Sequence, residues 1–186
     1  MMRYADCRLR PMAEEDRVLV LSWRNQDRIR ANMYSDHIIT LDEHDRWFDR
    51  SLADPSAVYR IFEYGDRPVG FVSFTEIDRT HGRANWAFYL GEADTPRGSG
   101  AAMELLALDE AFGPLGIRKL CCEVFAFNGG VVRLHERFGF TRESLLAKAR
   151  LKNGELQDIV CMARLADDWP SDRAALMASV FKEDAA

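Results

Sequence analysis

The sequence contains no apolar run close to the roughly 20 residues that a membrane-spanning helix needs. Its first residues, Met1 to Asp6, also lack the apolar stretch of a secretory signal peptide. Cysteine is scarce and has no CxxC spacing, which gives no sign of a zinc site or a redox motif, so we expect reduced cysteines in the core. They are Cys7, Cys121, Cys122 and Cys161. These absences predict a cytoplasmic protein that needs neither a membrane nor a metal ion.

An excess of positive charge is also missing. The 25 lysines and arginines are outnumbered by 30 aspartates and glutamates, which gives a formal net charge of −5. A nucleic-acid binder would carry a basic face, so the charge balance disfavours that class and leaves local basic sites open. The chain of 186 residues has no repeat or low-complexity linker. It is therefore predicted to form one domain over residues 1–166, followed by a tail helix within 167–186.

Hydrophobic patterning in the first half predicts a short strand, two helices and an antiparallel meander of three strands. Thr40 followed by Glu43 is a helix-start signature, and Gly65 to Pro68 form a predicted turn between two strands. The predicted segments are strand Leu9–Met12, helices Ala13–Asn25 and Thr40–Leu52, and strands Val58–Tyr64, Val69–Ile77 and Ala84–Leu90.

The second half predicts a glycine-containing loop, a helix, a buried strand, a further helix and a closing hairpin at Asn153-Gly154. The predicted segments after the first of these helices are strand Leu120–Phe127, helix Gly130–Phe138, strands Ala149–Lys152 and Leu156–Leu165, and tail helix Asp172–Phe181. Antiparallel strands combined with strand–loop–helix units indicate an α+β fold of the three-layer α/β kind.

The loop from Arg97 to Ala102 follows a strand and opens a helix. Its main-chain N–H groups would converge there, and its small side chains would let an anion approach closely. A Walker A loop is excluded because no Lys-Ser or Lys-Thr follows the glycines, and Met103 takes the place of the third glycine of a dinucleotide-binding fingerprint. The loop therefore predicts a diphosphate site of another kind.

The pattern Arg97-x-x-Gly100-x-Ala102 resembles the signature by which GCN5-related N-acetyltransferases (GNAT) hold the diphosphate of coenzyme A. The segment Asn128–Phe140 resembles the second coenzyme-A element of that family, an Asn, a helix and a Gly-Phe pair. The resemblance implies a mixed central sheet of about seven strands and acetyl-CoA as co-substrate. It implies coenzyme-A contacts at Tyr89, Leu90, Arg97, Gly98, Ser99, Gly100, Ala101, Ala102 and Asn128.

Acetyl transfer to an amine needs a neutral nucleophile, a stabilised oxyanion and a proton for the departing thiolate. Glu123 interrupts a strongly apolar run, where burial would make it a stronger general base, and a solvent-facing glutamate is the alternative. His135 takes the place where the family usually carries a proton-donating tyrosine, with a core histidine as the alternative. The family places the oxyanion donor, a main-chain N–H, at Tyr89 or Leu90.

The N-terminal third resembles the acetyltransferases of pseudaminic acid biosynthesis in Trp23-Arg24-Asn25, in Met33-Tyr34-Ser35, and from Ile39 to Phe48. Those enzymes acylate the 4-amino group of a UDP-linked 4-amino-4,6-dideoxy sugar, for surface-glycan or flagellin modification. A nucleotide sugar needs cations for its diphosphate and aromatic walls for its base. The expected acceptor-binding residues are Arg24, Met33, Tyr34, His44, Trp47, Ser73 and Thr75. For Trp47 the alternative is helix core, and for Arg24 and His44 it is plain surface.

Two other functions remain open from the sequence. One is a ribosomal-protein-type N-terminal protein acetyltransferase, and the other is a coenzyme-A-binding module without turnover, because His135 replaces the usual tyrosine. The expected partner is a small-molecule nucleotide-sugar amine, with neither nucleic acid nor membrane, and a homodimer is compatible with the sequence.

Overall fold

A computed structural model describes residues 2–181 of the chain. Within that range the strands are β1 (Cys7–Pro11), β2 (Val58–Tyr64), β3 (Arg67–Asp78), β4 (Arg83–Leu90), β5 (Lys119–Phe125), β6 (Thr141–Lys152) and β7 (Glu155–Leu165). The α-helices are α1 (Arg17–Arg24), α2 (Asp27–Arg30), α3 (Leu41–Ala53), α4 (Ser99–Phe112), α5 (Gly129–Arg137) and α6 (Trp169–Val180). Short 3₁₀ helices cover Tyr4–Asp6 and Glu14–Asp16.

The strands follow the order β1-β2-β3-β4-β5-β7-β6 in a mixed seven-stranded sheet. The pairs β1–β2, β2–β3, β3–β4 and β6–β7 are antiparallel, so the predicted meander and the closing hairpin are both confirmed. The α+β fold and the expected sheet of about seven strands are confirmed as well.

The described chain divides into two compact units. The first contains residues 2–12, 56–120 and 165–181, and so holds the meander of β1 to β4 with α4 and α6. Helix α4 packs on β1, β3 and β4 and is buried on nearly every side. Each fully buried leucine of such a helix contributes about 1.5–3 kcal/mol.

Gly70 lets α4 lie close to the meander. A Cβ at Gly70 would stand 2.9 Å from Sδ of Met103 and 3.0 Å from the carbonyl oxygen of Tyr89. A side chain there would crowd Met103 of α4 and the main chain of β4 at Tyr89. Glycine at position 70 therefore allows β3, β4 and α4 to pack closely at this point.

Helix α6 lies outside the predicted domain of residues 1–166 but packs on α4 in the first unit. Nε1 of Trp169 donates to Asp109 at 3.1 Å, and Arg173 binds the same carboxylate at 2.6 and 2.9 Å. The helix begins earlier than the predicted Asp172, because Pro170 in the first turn needs no N–H partner.

The second unit contains residues 13–55 and 121–164. Thr40 caps α3 as predicted, since its hydroxyl oxygen accepts a hydrogen bond from the N–H of Glu43 at 3.3 Å. At the β6–β7 turn, Asn153 and Gly154 both have positive φ angles, +51° and +82°. This is the backbone conformation that an Asn-Gly hairpin turn requires.

Two predicted boundaries in this unit were wrong, and one short helix was missed. The helix expected over Ala13–Asn25 begins with a 3₁₀ turn, in which Asp16 accepts from the N–H of Ala13, and only then becomes α1. The short helix α2 was missed. Strand β6 begins at Thr141 instead of Ala149, because its residues are exposed on both faces up to Leu151 and leave no alternation for a pattern to detect.

Among the helices of residues 2–181, none has the length and apolarity to cross a membrane. The same residues contain no group of three or more His, Cys, Asp or Glu side chains arranged to hold a metal ion.

Candidate active site

The loop that opens α4 has the geometry of an anion site. Gly98 has a φ angle of +100°, a left-handed conformation that favours glycine, and α4 begins at the next residue. The described part of the chain supplies no acceptor for the N–H groups of Gly100 and Ala101. Arg97 is exposed and precedes this pair of donors by a few residues in the chain. Two main-chain donors at a helix start and one cation fit a diphosphate.

Ser99 and Ala102 form hydrogen bonds within the loop and have no donor left for a ligand. The hydroxyl of Ser99 donates to the carbonyl of Pro96 at 2.8 Å, and the N–H of Ser99 bonds to the same oxygen. Ala102 is fully buried, and its N–H donates to Gly98 at 3.0 Å. The expectation that Ser99 and Ala102 contact coenzyme A directly is corrected accordingly.

Asn128 stands at the start of α5 in the second unit. Its main-chain N–H donates to Phe125 at 2.9 Å, and its carbonyl accepts from Val131 and Val132. Its side chain makes no cap bond to α5. An asparagine at a helix start normally uses its side chain as the cap, so the amide of Asn128 is left available for the predicted contact with coenzyme A.

The β4 residues of the first unit lie in regular pairing with β3. Tyr89 pairs with Phe71, and their rings stack at 5.2 Å, while Leu90 pairs with Gly70. The oxyanion role of their N–H groups remains a prediction. Ser73 on β3 donates to the carbonyl of Ala87 at 3.4 Å and is half-buried, as is Thr75. Both stay predicted acceptor contacts.

In the second unit the hydroxyl of Tyr34 donates to Oε2 of Glu123 at 2.5 Å. Glu123 is exposed on β5, so the expected burial of its carboxylate was wrong, while its solvent-facing alternative was right. Tyr34 packs edge-on against Phe125, with ring centroids 5.4 Å apart. Burial and the hydrogen bond to Glu123 raise the pKa of Tyr34 far above its usual range. The phenol therefore keeps its proton and acts as a donor to the carboxylate.

Two cations of β6 surround the Tyr34 segment and were missed from the sequence. The guanidinium of Arg150 stands 4.3 Å from the centre of the Tyr34 ring. Nζ of Lys152 donates to the carbonyls of Arg30 and Met33, each at 2.7 Å. The available sequence signal was the alternation of cations before the Asn-Gly turn. Local sequence could not predict the contact partners of Lys152, because Arg30 and Met33 lie 122 and 119 residues away in the chain.

His135 is 2% exposed, with its ring 5.0 Å from that of Phe140. It lies in the last turn of α5, as the sequence predicted. The core-histidine alternative agrees with this burial, and the proton-donor role remains a prediction.

His44 is also 2% exposed, and this burial overturns both of its predicted roles, diphosphate contact and plain surface residue. Its Nε2–H donates to the carbonyl of Arg17 at 2.7 Å. Its ring packs at 5.3 Å from Trp47, which is half-buried beside Phe48. Burial lowers the pKa of His44. His44 therefore joins α3 to α1, and the Trp47 geometry agrees with the helix-core alternative.

Arg24 is the last residue of α1, and Met33 lies in the segment between α2 and α3. A guanidinium nitrogen of Arg24 donates to the hydroxyl of Ser35 at 2.7 Å and to its carbonyl at 3.2 Å. Met33 is half-buried and offers its carbonyl to Lys152. The structure thus brings Arg24, Met33, Tyr34 and Glu123 together within the second unit.

Comparison with known proteins agrees with this fold. Residues 6–141 match the model of the acetyltransferase (GNAT) domain family. The chain is 29% identical, over 87% of its length and 90% of the relative, to the SPbeta prophage-derived uncharacterized N-acetyltransferase YokL of Bacillus subtilis. It is 23% identical to the spermidine N(1)-acetyltransferase of Escherichia coli K12, over 83% of each chain.

Two solved structures of Vibrio cholerae spermidine N-acetyltransferase have the same fold. One, in complex with CoA and spermine, has a TM-score of 0.84 at 22% identity and covers 89% of this chain and 99% of its own. The other, a dodecameric structure, has a TM-score of 0.77 at 22% identity, covering 89% and 96%. Since the family model spans most of the chain, the chain belongs to the GNAT acetyltransferase family and is an acetyl-CoA-dependent N-acetyltransferase.

Proposed function

We propose that this enzyme acetylates the 4-amino group of a UDP-linked 4-amino-4,6-dideoxy sugar, in the pseudaminic acid pathway. The observation that carries the proposal is the surroundings of Tyr34, where one carboxylate, one phenol and an arginine meet. An amine to be deprotonated needs the carboxylate, and an acceptor with a diphosphate and a base needs the cation and the ring.

In the reaction, the amine nitrogen forms a bond to the acetyl carbonyl carbon, the carbon–sulfur bond breaks, and the sulfur takes a proton. Acetyl-CoA supplies the acetyl group as an activated thioester. Glu123 accepts the proton that leaves the amine, directly or through water. Because Glu123 is exposed, the amine and a water molecule can each reach its carboxylate. Tyr34 holds the carboxylate in one orientation. His135 would donate to the leaving sulfur, and His135→Phe should then lower kcat by about tenfold at most, since a thiol leaves easily.

Charge around Tyr34 favours a diphosphate over a polyamine. Arg150 covers the Tyr34 ring, and Arg24 bonds to the neighbouring Ser35. These guanidiniums would repel a substrate that carries several positive charges, whereas they form charge-assisted, bidentate bonds with phosphate oxygens. Arg150 replaces His44 as the second cation of the proposed diphosphate contact.

A polyamine acceptor is the second candidate. It is favoured by the comparisons, because two of the relatives named above are spermidine acetyltransferases. Asp36 is exposed and Glu43 half-buried on the same unit, and each would suit an amine. In this case Glu123 would keep its role and the arginines would not contact the acceptor.

Calorimetric titration of the coenzyme-A-loaded enzyme with UDP separates the two candidates. UDP should bind, and Arg150→Gln should weaken it by about tenfold, the loss of one charge-assisted bond. The matched control Arg46→Gln removes an exposed arginine of α3 and should leave UDP affinity unchanged. Binding of spermidine without binding of UDP would overturn the nucleotide-sugar proposal.

We also propose that copies of the chain associate. Strand β6 is an edge strand of the sheet, and its residues Leu145, Leu146 and Leu151 are exposed. An edge strand with exposed apolar side chains can pair with a second copy of the chain. A relative with the same fold is dodecameric. Light scattering on the wild type and on Leu145→Arg should show an oligomer that the substitution dissociates; a wild-type monomer would contradict this proposal.

A further inference from the structure

Lys152 is an unusual residue for its position, because lysine is seldom fully buried. It is the last residue of β6 and is 3% exposed. Its ammonium donates to the carbonyls of Arg30 and Met33 and stands 4.0 Å from a carboxylate oxygen of Asp36. All three partners lie in the segment that carries Tyr34.

The hairpin explains why this side chain reaches inward. The Asn153-Gly154 turn pairs Lys152 with Glu155, which fixes the register of the strand end. Successive side chains of a strand point to opposite faces. Leu151 accordingly lies in solvent, at 65% exposure, and Lys152 is buried on the other face.

The segment that receives Lys152 is an irregular turn that follows helix α2, which ends at Arg30. Its own bonds are the N–H of Met33 to the carbonyl of Arg30 at 3.1 Å and the guanidinium of Arg30 to the carbonyl of Asp36 at 3.0 Å. Arg24 also donates to Ser35. The far end of the connection is tied by Asn25, whose side chain exchanges two hydrogen bonds with the main chain of Ile39. At the near end, just before Tyr34, two hydrogen bonds come from the ammonium of Lys152.

We propose that Lys152 is a positioning residue of the acceptor side: it holds the segment of residues 30–36 so that the Tyr34 hydroxyl meets the Glu123 carboxylate. Loss of the ammonium removes the donor of the Met33 carbonyl and leaves the Arg30 carbonyl with the N–H of Met33 alone. Residues 30–36 then become more mobile, and the Tyr34 hydroxyl no longer keeps a fixed position relative to the Glu123 carboxylate. The effect on acceptor use rests on the proposed function, whereas the effect on the segment does not.

Hydrogen exchange measured by mass spectrometry tests the structural half. Lys152→Met keeps the length of the side chain and removes the donors. Peptides that cover residues 30–36 should exchange about tenfold faster in Lys152→Met than in the wild type. The matched control is Lys148→Met, an exposed lysine of the same strand, which should leave that exchange unchanged. Unchanged exchange in Lys152→Met would overturn the proposal.

A double-mutant cycle with Tyr34→Phe tests the functional half. Using whichever acceptor supports wild-type turnover, Lys152→Met should raise the acceptor KM about tenfold and leave the KM for acetyl-CoA unchanged. Tyr34→Phe should add little in the Lys152→Met background, and Lys152→Arg should recover part of the loss. Additive effects, or equal rises in both KM values, would overturn the positioning role.

If Lys152→Met fails to fold, Lys152→Gln keeps a neutral donor and provides the same cycle and the same exchange measurement. Absence of turnover with a UDP-sugar in the wild type would contradict the proposed function alone. The exchange result on residues 30–36 would still decide whether Lys152 holds the segment.

Discussion

The hydroxyl of Tyr34 donates to the carboxylate of Glu123 at 2.5 Å, joining two residues that stand 89 positions apart in the chain. The phenol is held from three sides, by Phe125, by Arg150 and by the carboxylate itself. Because its pKa is raised first by burial and then by Glu123, the phenol stays a donor through the whole working pH range. Glu123 is thus an oriented, solvent-accessible carboxylate.

Tyr34→Phe tests this relationship with little change in shape. The ring contacts with Phe125 and Arg150 are kept, but Glu123 loses the hydroxyl that holds its carboxylate in one orientation. We expect kcat at neutral pH to fall less than tenfold, because one hydrogen bond is lost. Unchanged turnover would show that the Tyr34 hydroxyl has no influence on the proposed base.

Glu123→Gln should abolish the base without removing the partner of Tyr34, because an amide oxygen also accepts a hydrogen bond. General-base catalysis contributes about 10²- to 10⁴-fold, so we expect kcat to fall about 100-fold or more, with acetyl-CoA affinity unchanged by calorimetry. Glu15→Gln, at an exposed position, makes the same change of charge as a control. Wild-type turnover in Glu123→Gln would remove Glu123 from the mechanism.

Arg97→Ala should weaken coenzyme-A binding. The exposed guanidinium precedes the two unbonded N–H groups of α4, and loss of one charge-assisted contact costs about tenfold in affinity. Calorimetry with coenzyme A measures this directly. Arg79→Ala, in the turn after β3, removes another exposed arginine and should bind as the wild type does. Equal affinities for all three proteins would show that the loop holds no diphosphate.

His44 predicts a pH dependence of stability. Burial lowers its pKa below the ordinary 6.5, so between the folded pKa and 6.5 the unfolded chain binds more protons than the folded one. The free energy of unfolding therefore falls as pH falls below about 6.5, and is fully recovered above it. Thermal unfolding should show a smaller Tm loss between pH 7.5 and 5.5 in His44→Gln, which keeps a donor for Arg17. Equal losses in both proteins would contradict this assignment.

The sequence predicted those features of the fold that depend on local signals. The Thr40 cap, the Asn153-Gly154 turn and the strand Val58–Tyr64 were each right, because each is decided within a few residues. The sequence failed for β6, whose two faces are both exposed, and for α2, which is one turn long.

The same division holds for the candidate site. The glycine loop was predicted to open a helix, and it does, because the backbone conformation at a helix start follows from local sequence. Its contact with coenzyme A stays a prediction. The role of His44 was mistaken, since its burial depends on α1 packing against α3. The contacts of Arg150 and Lys152 with the Tyr34 segment depend on tertiary pairing over more than 100 residues and leave no local trace.

Acetyl-CoA-dependent thiol release with a UDP-4-amino-4,6-dideoxy sugar as acceptor tests the proposed function most directly. Spermidine, a basic N-terminal peptide and an acceptor-free mixture are measured beside it. We expect release that depends on the sugar, stays at background with the other three, and falls about 100-fold in Glu123→Gln. Release with spermidine or with the peptide, and none with the sugar, would contradict the proposed acceptor.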